Sequence, residues 1–108
     1  MAKNVGPIDF SSGIGNDTFN IGMTATWANI YFKFSGIKSM QGFIAGGNQV
    51  CYPADGESAV LGKAFRVKDT SGTVVFEGTW TNFSGNNVTF NKTTNTLGTP
   101  RAILEFGN

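Results

Sequence analysis

Histidine is absent from this chain, cysteine occurs once, proline three times, and Asp, Glu, Lys and Arg together make up only 14% of its 108 residues. Without imidazole the chain lacks the usual general base at neutral pH, the Ser-His and Cys-His nucleophile pairs and the commonest metal ligand. With Cys51 alone, no disulfide can form within the chain. Eight basic residues against seven acidic ones leave a formal charge of +1, and the charges are spread singly, so no electrostatic footprint for nucleic acid is present. Paired carboxylates serve glycosidases when held about 5 to 10 Å apart in a cleft, but the acids here are scattered along a short chain. The opening MAKNVGPIDF has no continuous apolar run and fits neither a signal peptide nor a membrane anchor, so the expectation is synthesis inside a cell and no membrane partner. These absences point away from an enzyme and call for no cofactor and no metal.

What is present suits strands. Fifteen Gly and ten Phe stand beside abundant Thr and Asn, and aromatic and β-branched side chains favour a pleated surface while Gly and Asn favour sharp reversals. The clearest segment is Gly62 to Asn82. In its second arm Val74, Phe76, Gly78 and Trp80 share one face while Val75, Glu77, Thr79 and Thr81 share the other. Its first arm sets Leu61, Phe65 and Val67 against Ala64, Arg66 and Lys68. Between them Asp69-Thr70-Ser71-Gly72 supplies an Asp that bonds its own backbone and a Gly that takes φ > 0.

Further strands are predicted at Thr18 to Gly22, Thr26 to Phe34, Ile37 to Ala45, Gln49 to Tyr52, Asn87 to Asn91 and Arg101 to Phe106. Phe83 to Asn86 reads as a turn and Thr93 to Pro100 as a polar loop. Residues 1–15, rich in Gly and Ser, read as a flexible N-terminal arm, with a short strand near Ile8 to Phe10, that either embraces a neighbouring subunit or frays. About seven or eight short strands at spacings near ten residues, with no helical period, imply an all-β fold: a single antiparallel β-sandwich or barrel-like domain over residues 16–108.

Few residues carry chemistry. Asp55-Gly56-Glu57 supplies two acids, short of the ligand count calcium needs, and reads as a solvated turn. Gly13-Ile14-Gly15 lacks the third Gly, the Lys and the helix of a phosphate loop. Cys51 has no basic neighbour in sequence to activate it and reads as a small buried hydrophobe. Asn-x-Ser/Thr matches at Asn16, Asn82, Asn87 and Asn91 are what chance gives in a chain so rich in Asn and Thr. Trp80 is in phase with Val74 and Phe76 and reads as core. Trp27, Asn29, Tyr31 and Lys33 alternate with Ala28, Ile30 and Phe32, which makes them, with Tyr52, the candidate interaction surface; packing beneath a loop is the alternative.

The run from Ala64 to Thr79, AFRVKDTSGTVVFEGT, resembles a recurrent hairpin in small structural proteins of tailed bacteriophages and prophages. The resemblance extends over roughly residues 60–106, and no catalytic or ligand residue comes with it. It implies a virion component, a capsid decoration, head-tail or tail-associated protein, made in the bacterial cytoplasm and assembling with itself and with other virion proteins. The alternative is a receptor-binding or carbohydrate-binding tip in which aromatic side chains hold a host-surface glycan.

Overall fold

The computed structural model describes residues 3–53 and 58–108. The Asp55-Gly56-Glu57 segment lies outside the described residues. Ten strands are present among those described: β1 Lys3–Asp9, β2 Gly15–Asn20, β3 Trp27–Phe32, β4 Met40–Ala45, β5 Asn48–Tyr52, β6 Val60–Leu61, β7 Phe65–Lys68, β8 Val74–Ser84, β9 Asn87–Asn95 and β10 Arg101–Gly107. They form two antiparallel sheets, one of six strands in the order β1-β10-β3-β4-β5-β6 and one of four in the order β2-β9-β8-β7. The fold is therefore a β-sandwich-like all-β domain.

The two sheets close over a core of phenylalanine. Period-2 alternation buries Ala28, Ile30 and Phe32 of β3, Met40 and Ile44 of β4, Val88 and Phe90 of β9, and Ala102, Leu104 and Phe106 of β10, each strand turning one face to the opposite sheet. Phe10 sits where the chain crosses from one sheet to the other, its N–H donating to Pro100 O at 3.0 Å. Its ring meets Phe19, Phe32, Phe65, Phe76 and Phe90 at centroid distances of 5.3, 6.1, 5.3, 5.0 and 5.7 Å. Most of these contacts are edge-on or tilted, the geometry the ring quadrupole favours. Phe65 and Phe76 stack at 4.6 Å.

Residues 1–15 are not an appendage as a whole, because Lys3–Asp9 is a full strand of the six-stranded sheet, in register with β10 from Lys3↔Gly107 to Asp9↔Arg101. Gly6-Pro7 is a pair that commonly breaks regular structure, but proline is tolerated on an edge strand, where one N–H needs no partner in the ladder. Asp9 and Arg101 clasp through a pair of hydrogen bonds of 2.6 and 3.0 Å.

The long hairpin is corrected in its first arm. Val60–Leu61 pairs with β5 in the six-stranded sheet, whereas Phe65–Lys68 pairs with β8 in the other. Between them Gly62 takes φ 81°, which resets the alternation, so Leu61 is 82% exposed while Ala64 is buried beside Phe65 and Val67. The turn itself is as expected: the N–H groups of Ser71 and Thr73 donate to Asp69 Oδ1 at 3.0 and 2.9 Å, and Gly72 takes φ 93°.

β8 runs two residues into the predicted turn, to Ser84, and leaves the reversal to Gly85-Asn86, with register shifts at Glu77/Gly78 and Trp80/Asn82. These bulges bring Phe83 round to the side of Trp80, ring centroids 5.2 Å apart, and both pack against the core only partly buried. The backbone freed at Trp80 is held by Gln49 of the other sheet, whose Nε2 donates to Trp80 O at 2.9 Å while Trp80 N–H donates to Gln49 Oε1 at 2.6 Å.

Candidate interaction surface

The two outer faces of the sandwich differ in chemistry. On the four-stranded sheet the register aligns Asn20 with Asn87, Thr18 with Thr89 and Asn16 with Asn91, and continues onto Asn82 and Thr79 of β8. Thr18 and Thr89 share a hydroxyl hydrogen bond of 2.8 Å. Toward β2 this is a wet surface of uncharged amides and hydroxyls, and toward β7 it carries Lys68 and the Arg66–Glu77 ion pair.

The outer face of the six-stranded sheet is apolar. Because directly paired residues of antiparallel strands project to the same side, the register builds continuous rows across it. One row runs Val5–Glu105–Asn29–Phe43–Val50–Leu61, and the next runs Pro7–Ile103–Tyr31–Gln41–Tyr52. Of the large exposed hydrophobic side chains, Val5, Tyr31, Phe43, Tyr52, Leu61 and Ile103 lie on this one face, while Ile14 and Phe34 are the others among the described residues. Single exposed hydrophobes need no explanation, but so many on one sheet face make it the candidate interaction surface.

The sequence-predicted residues fall here as follows. Trp27 and Asn29 are half-buried, Tyr31 is exposed, and all three point outward from β3. Lys33, just past the end of β3, is exposed on the same side. Tyr52, 52% exposed, is joined to Tyr31 through Gln41, two strands away. Asn29 Nδ2 donates to Glu105 Oε1 at 3.1 Å, and Lys3 pairs with the same carboxylate at 3.0 Å. The Lys3 and Asn29 hydrogen bonds hold the Glu105 carboxyl below its ordinary value. The charges of the face are thus largely paired at its rim.

Sequence reasoning missed Phe43, Val5 and Leu61. In β4 both phases carry apolar groups, Met40 and Ile44 on one and Phe43 on the other, so alternation alone does not assign Phe43 outward. Shallow depressions flank the rows, one of about 420 Å³ between Tyr31, Phe34, Leu97, Pro100 and Ile103, and one of about 350 Å³ between Tyr31, Lys33, Gln41 and Tyr52.

Nucleophilic chemistry finds no support at Cys51. Its thiol is fully buried on the inner side of β5, and burial pushes its pKa up to about 11, so the thiolate is scarce at neutral pH. Native protein is expected to resist a water-soluble disulfide reagent for hours and to react in full once unfolded in denaturant; quantitative labelling of the folded protein within minutes would overturn this. Among the described residues no group of three or more His, Cys, Asp or Glu is placed to hold a metal ion.

Comparison with family models, curated proteins and solved structures gave no match to this chain. Its own geometry defines a class all the same: a two-sheet antiparallel β domain with one polar and one apolar outer face.

Proposed function

We propose that this domain is a non-enzymatic structural component of a tailed-bacteriophage particle, a capsid decoration, head-tail or tail-associated protein, that works by multivalent assembly. The observation that carries the assembly reading is the row of exposed apolar side chains on the outer face of the six-stranded sheet, opposite a face of amides and hydroxyls with an Arg66–Glu77 ion pair at its β7 end. The particle itself is suggested by the hairpin at Ala64 to Thr79 and its resemblance to phage structural proteins. On this reading the chain is made in the bacterial cytoplasm and resides in the virion, with copies of itself and other virion proteins as partners.

Phe43→Asp and Tyr52→Asp place a carboxylate in the middle of the face. Each is expected to weaken self-association or particle binding roughly 30-fold, about 2 kcal/mol, as for an aromatic anchor in an interface. Thermal stability should move little, because both side chains are already solvent-exposed. Sedimentation and co-purification with assembled particles measure the effect. Assembly unchanged by both substitutions removes the reading.

The pair Tyr31 and Tyr52 flanking Gln41 supports a second reading, a host-surface glycan stacked on the tyrosines and held by the amide. A glycan array with signals lost in Tyr52→Ala, and no self-association, would favour it over assembly.

A further inference from the structure

The four outer edges of the two sheets are not equally protected. In β1 the inward bond of Phe10 N–H to Pro100 O and the register Ile8↔Ala102 turn the even-numbered residues to β10, so Lys3, Val5, Pro7 and Asp9 face the open side. Pro7 brings no donor there, and Lys3 and Asp9 bring charge, the usual protections of an edge. β6 is two residues long. β7 is four residues long, bulged at Val67/Lys68, and partly covered where Lys38 N–H donates to Lys68 O at 2.9 Å.

β2 has none of these protections. Its six residues, Gly15–Asn20, pair with β9 in unbroken register. The Ile21 N–H donates to Asn86 O at 2.8 Å, so alternation turns Phe19, Asp17 and Gly15 to β9 and leaves the N–H and C=O groups of Asn16, Thr18 and Asn20 directed at the open edge. Those residues are exposed and uncharged, and no proline interrupts them. The only charge in the strand, Asp17, is paired with Lys92 at 3.2 Å.

We propose that β2 pairs antiparallel with β2 of a second copy across a two-fold axis at Thr18, joining the two four-stranded sheets into one continuous sheet. The pattern of edge-facing residues, Asn16, Thr18 and Asn20, reads the same in both directions, as an isologous contact requires. Thr18 then meets its own counterpart and Asn16 meets Asn20 of the partner copy, each pair exchanging both backbone hydrogen bonds. Hydroxyl and amide side chains lie opposite one another without like-charge repulsion, as Thr18 and Thr89 already do within the monomer. The contact rests on the assembly reading and deepens it, because it uses a surface separate from the apolar face.

The test is the solution mass of the full chain at its highest soluble concentration, for the parent, Thr18→Lys, Thr18→Pro and Phe43→Asp. The parent is expected at twice 11.5 kDa or a multiple of that pair. In Thr18→Lys two ammonium groups meet at the axis, and in Thr18→Pro the edge-facing donor is lost while the β9 ladder stays intact. Both should lose the pair with a melting temperature within a few degrees of the parent. Amide exchange at Asn16 and Asn20 should be slow in the parent and fast in both variants. A monomeric parent, or a pair that survives both substitutions, overturns the contact. A pair lost at Thr18 but kept in Phe43→Asp supports it, even where no particle binds and the assembly reading fails; assembly lost only in Phe43→Asp retains that reading and overturns the β2 contact.

Discussion

Gly42→Ala is expected to destabilise the domain by about 3 kcal/mol or more, lowering the melting temperature by roughly 12 to 20 °C. Gly42 faces inward on β4, between Ile30 of β3 and Cys51 of β5. A Cβ built there stands 1.9 Å from Ala64 O and 3.1 Å from Ala64 C. The obstacle is backbone, which has no rotamer to escape into, and it is the segment that carries the chain from β6 in one sheet to β7 in the other. An added methyl group must therefore push β4 away from the Ala64 segment. Gly6→Ala is the control: nothing lies within 4 Å of its Cβ position, and an extended backbone accepts alanine at no loss or a small gain. Thermal melts of the two variants side by side decide the matter, and equal melting temperatures would refute the close-approach argument.

Lys92→Met is expected to cost about 3 to 5 kcal/mol, the usual penalty for removing one partner of a buried ion pair. Lys92 is 2% exposed, the one charged side chain in the described core. Its Nζ donates to Ser11 O at 2.6 Å and Ser11 Oγ at 2.7 Å, and lies 3.2 Å from Asp17 Oδ2. Ser11 N–H and Oγ–H in turn donate to Asp17 at 2.8 and 2.5 Å. Burial by itself raises the Asp17 pKa, but the Ser11 hydrogen bonds and the Lys92 ammonium outweigh it, and the carboxyl titrates below its ordinary value.

The sign of the pH dependence follows. A carboxyl whose folded pKa lies below its unfolded value, about 3.9, stabilises the fold fully above that unfolded value, and the contribution disappears as pH falls through the folded pKa. In Lys92→Met the stabilising ammonium is gone, so the gap between parent and variant should be widest near neutrality and narrow below about pH 4. Denaturant titrations at pH 7 and pH 3 measure both values. A gap that is small at pH 7, or that grows in acid, would contradict the ion-pair account. The double substitution Lys92→Met with Asp17→Leu should recover part of the loss, since no charge then remains buried.

Fold class was legible because it rests on local alternation. The phase of β3, the Asp69 to Gly72 turn and the inward Val88 and Phe90 each follow from residues within a few positions of one another. Leu61 was misassigned because a single glycine at positive φ moved it to another sheet, and alternation read straight through Gly62 cannot register that change. Lys92 continues the inward phase of Val88 and Phe90 in a strand that runs on to Asn95 and not only to Asn91; its partners, Ser11 and Asp17, lie more than seventy residues away. The candidate surface was legible from β3 and from Tyr52 on β5. Trp27, Asn29 and Tyr31 announce one outward face, but Phe43, Ile103 and Val5 join it only through inter-strand register, which no local pattern encodes.

The terminal strands also govern when this protein folds. β1 needs β10 and β2 needs β9, so residues 3–20 find their partners only after residues 87–107 have left the ribosome. Such long sequence separations make for slow, late closure, and until Asn87–Gly107 emerges the Phe10 ring has no finished core to enter. The domain therefore closes late, once both of the strands from 87 to 107 are available to it. The register of Lys3 against Gly107 also sets these two positions side by side, so a circularly permuted chain joining them through a short linker should keep the same core and shorten the slowest search.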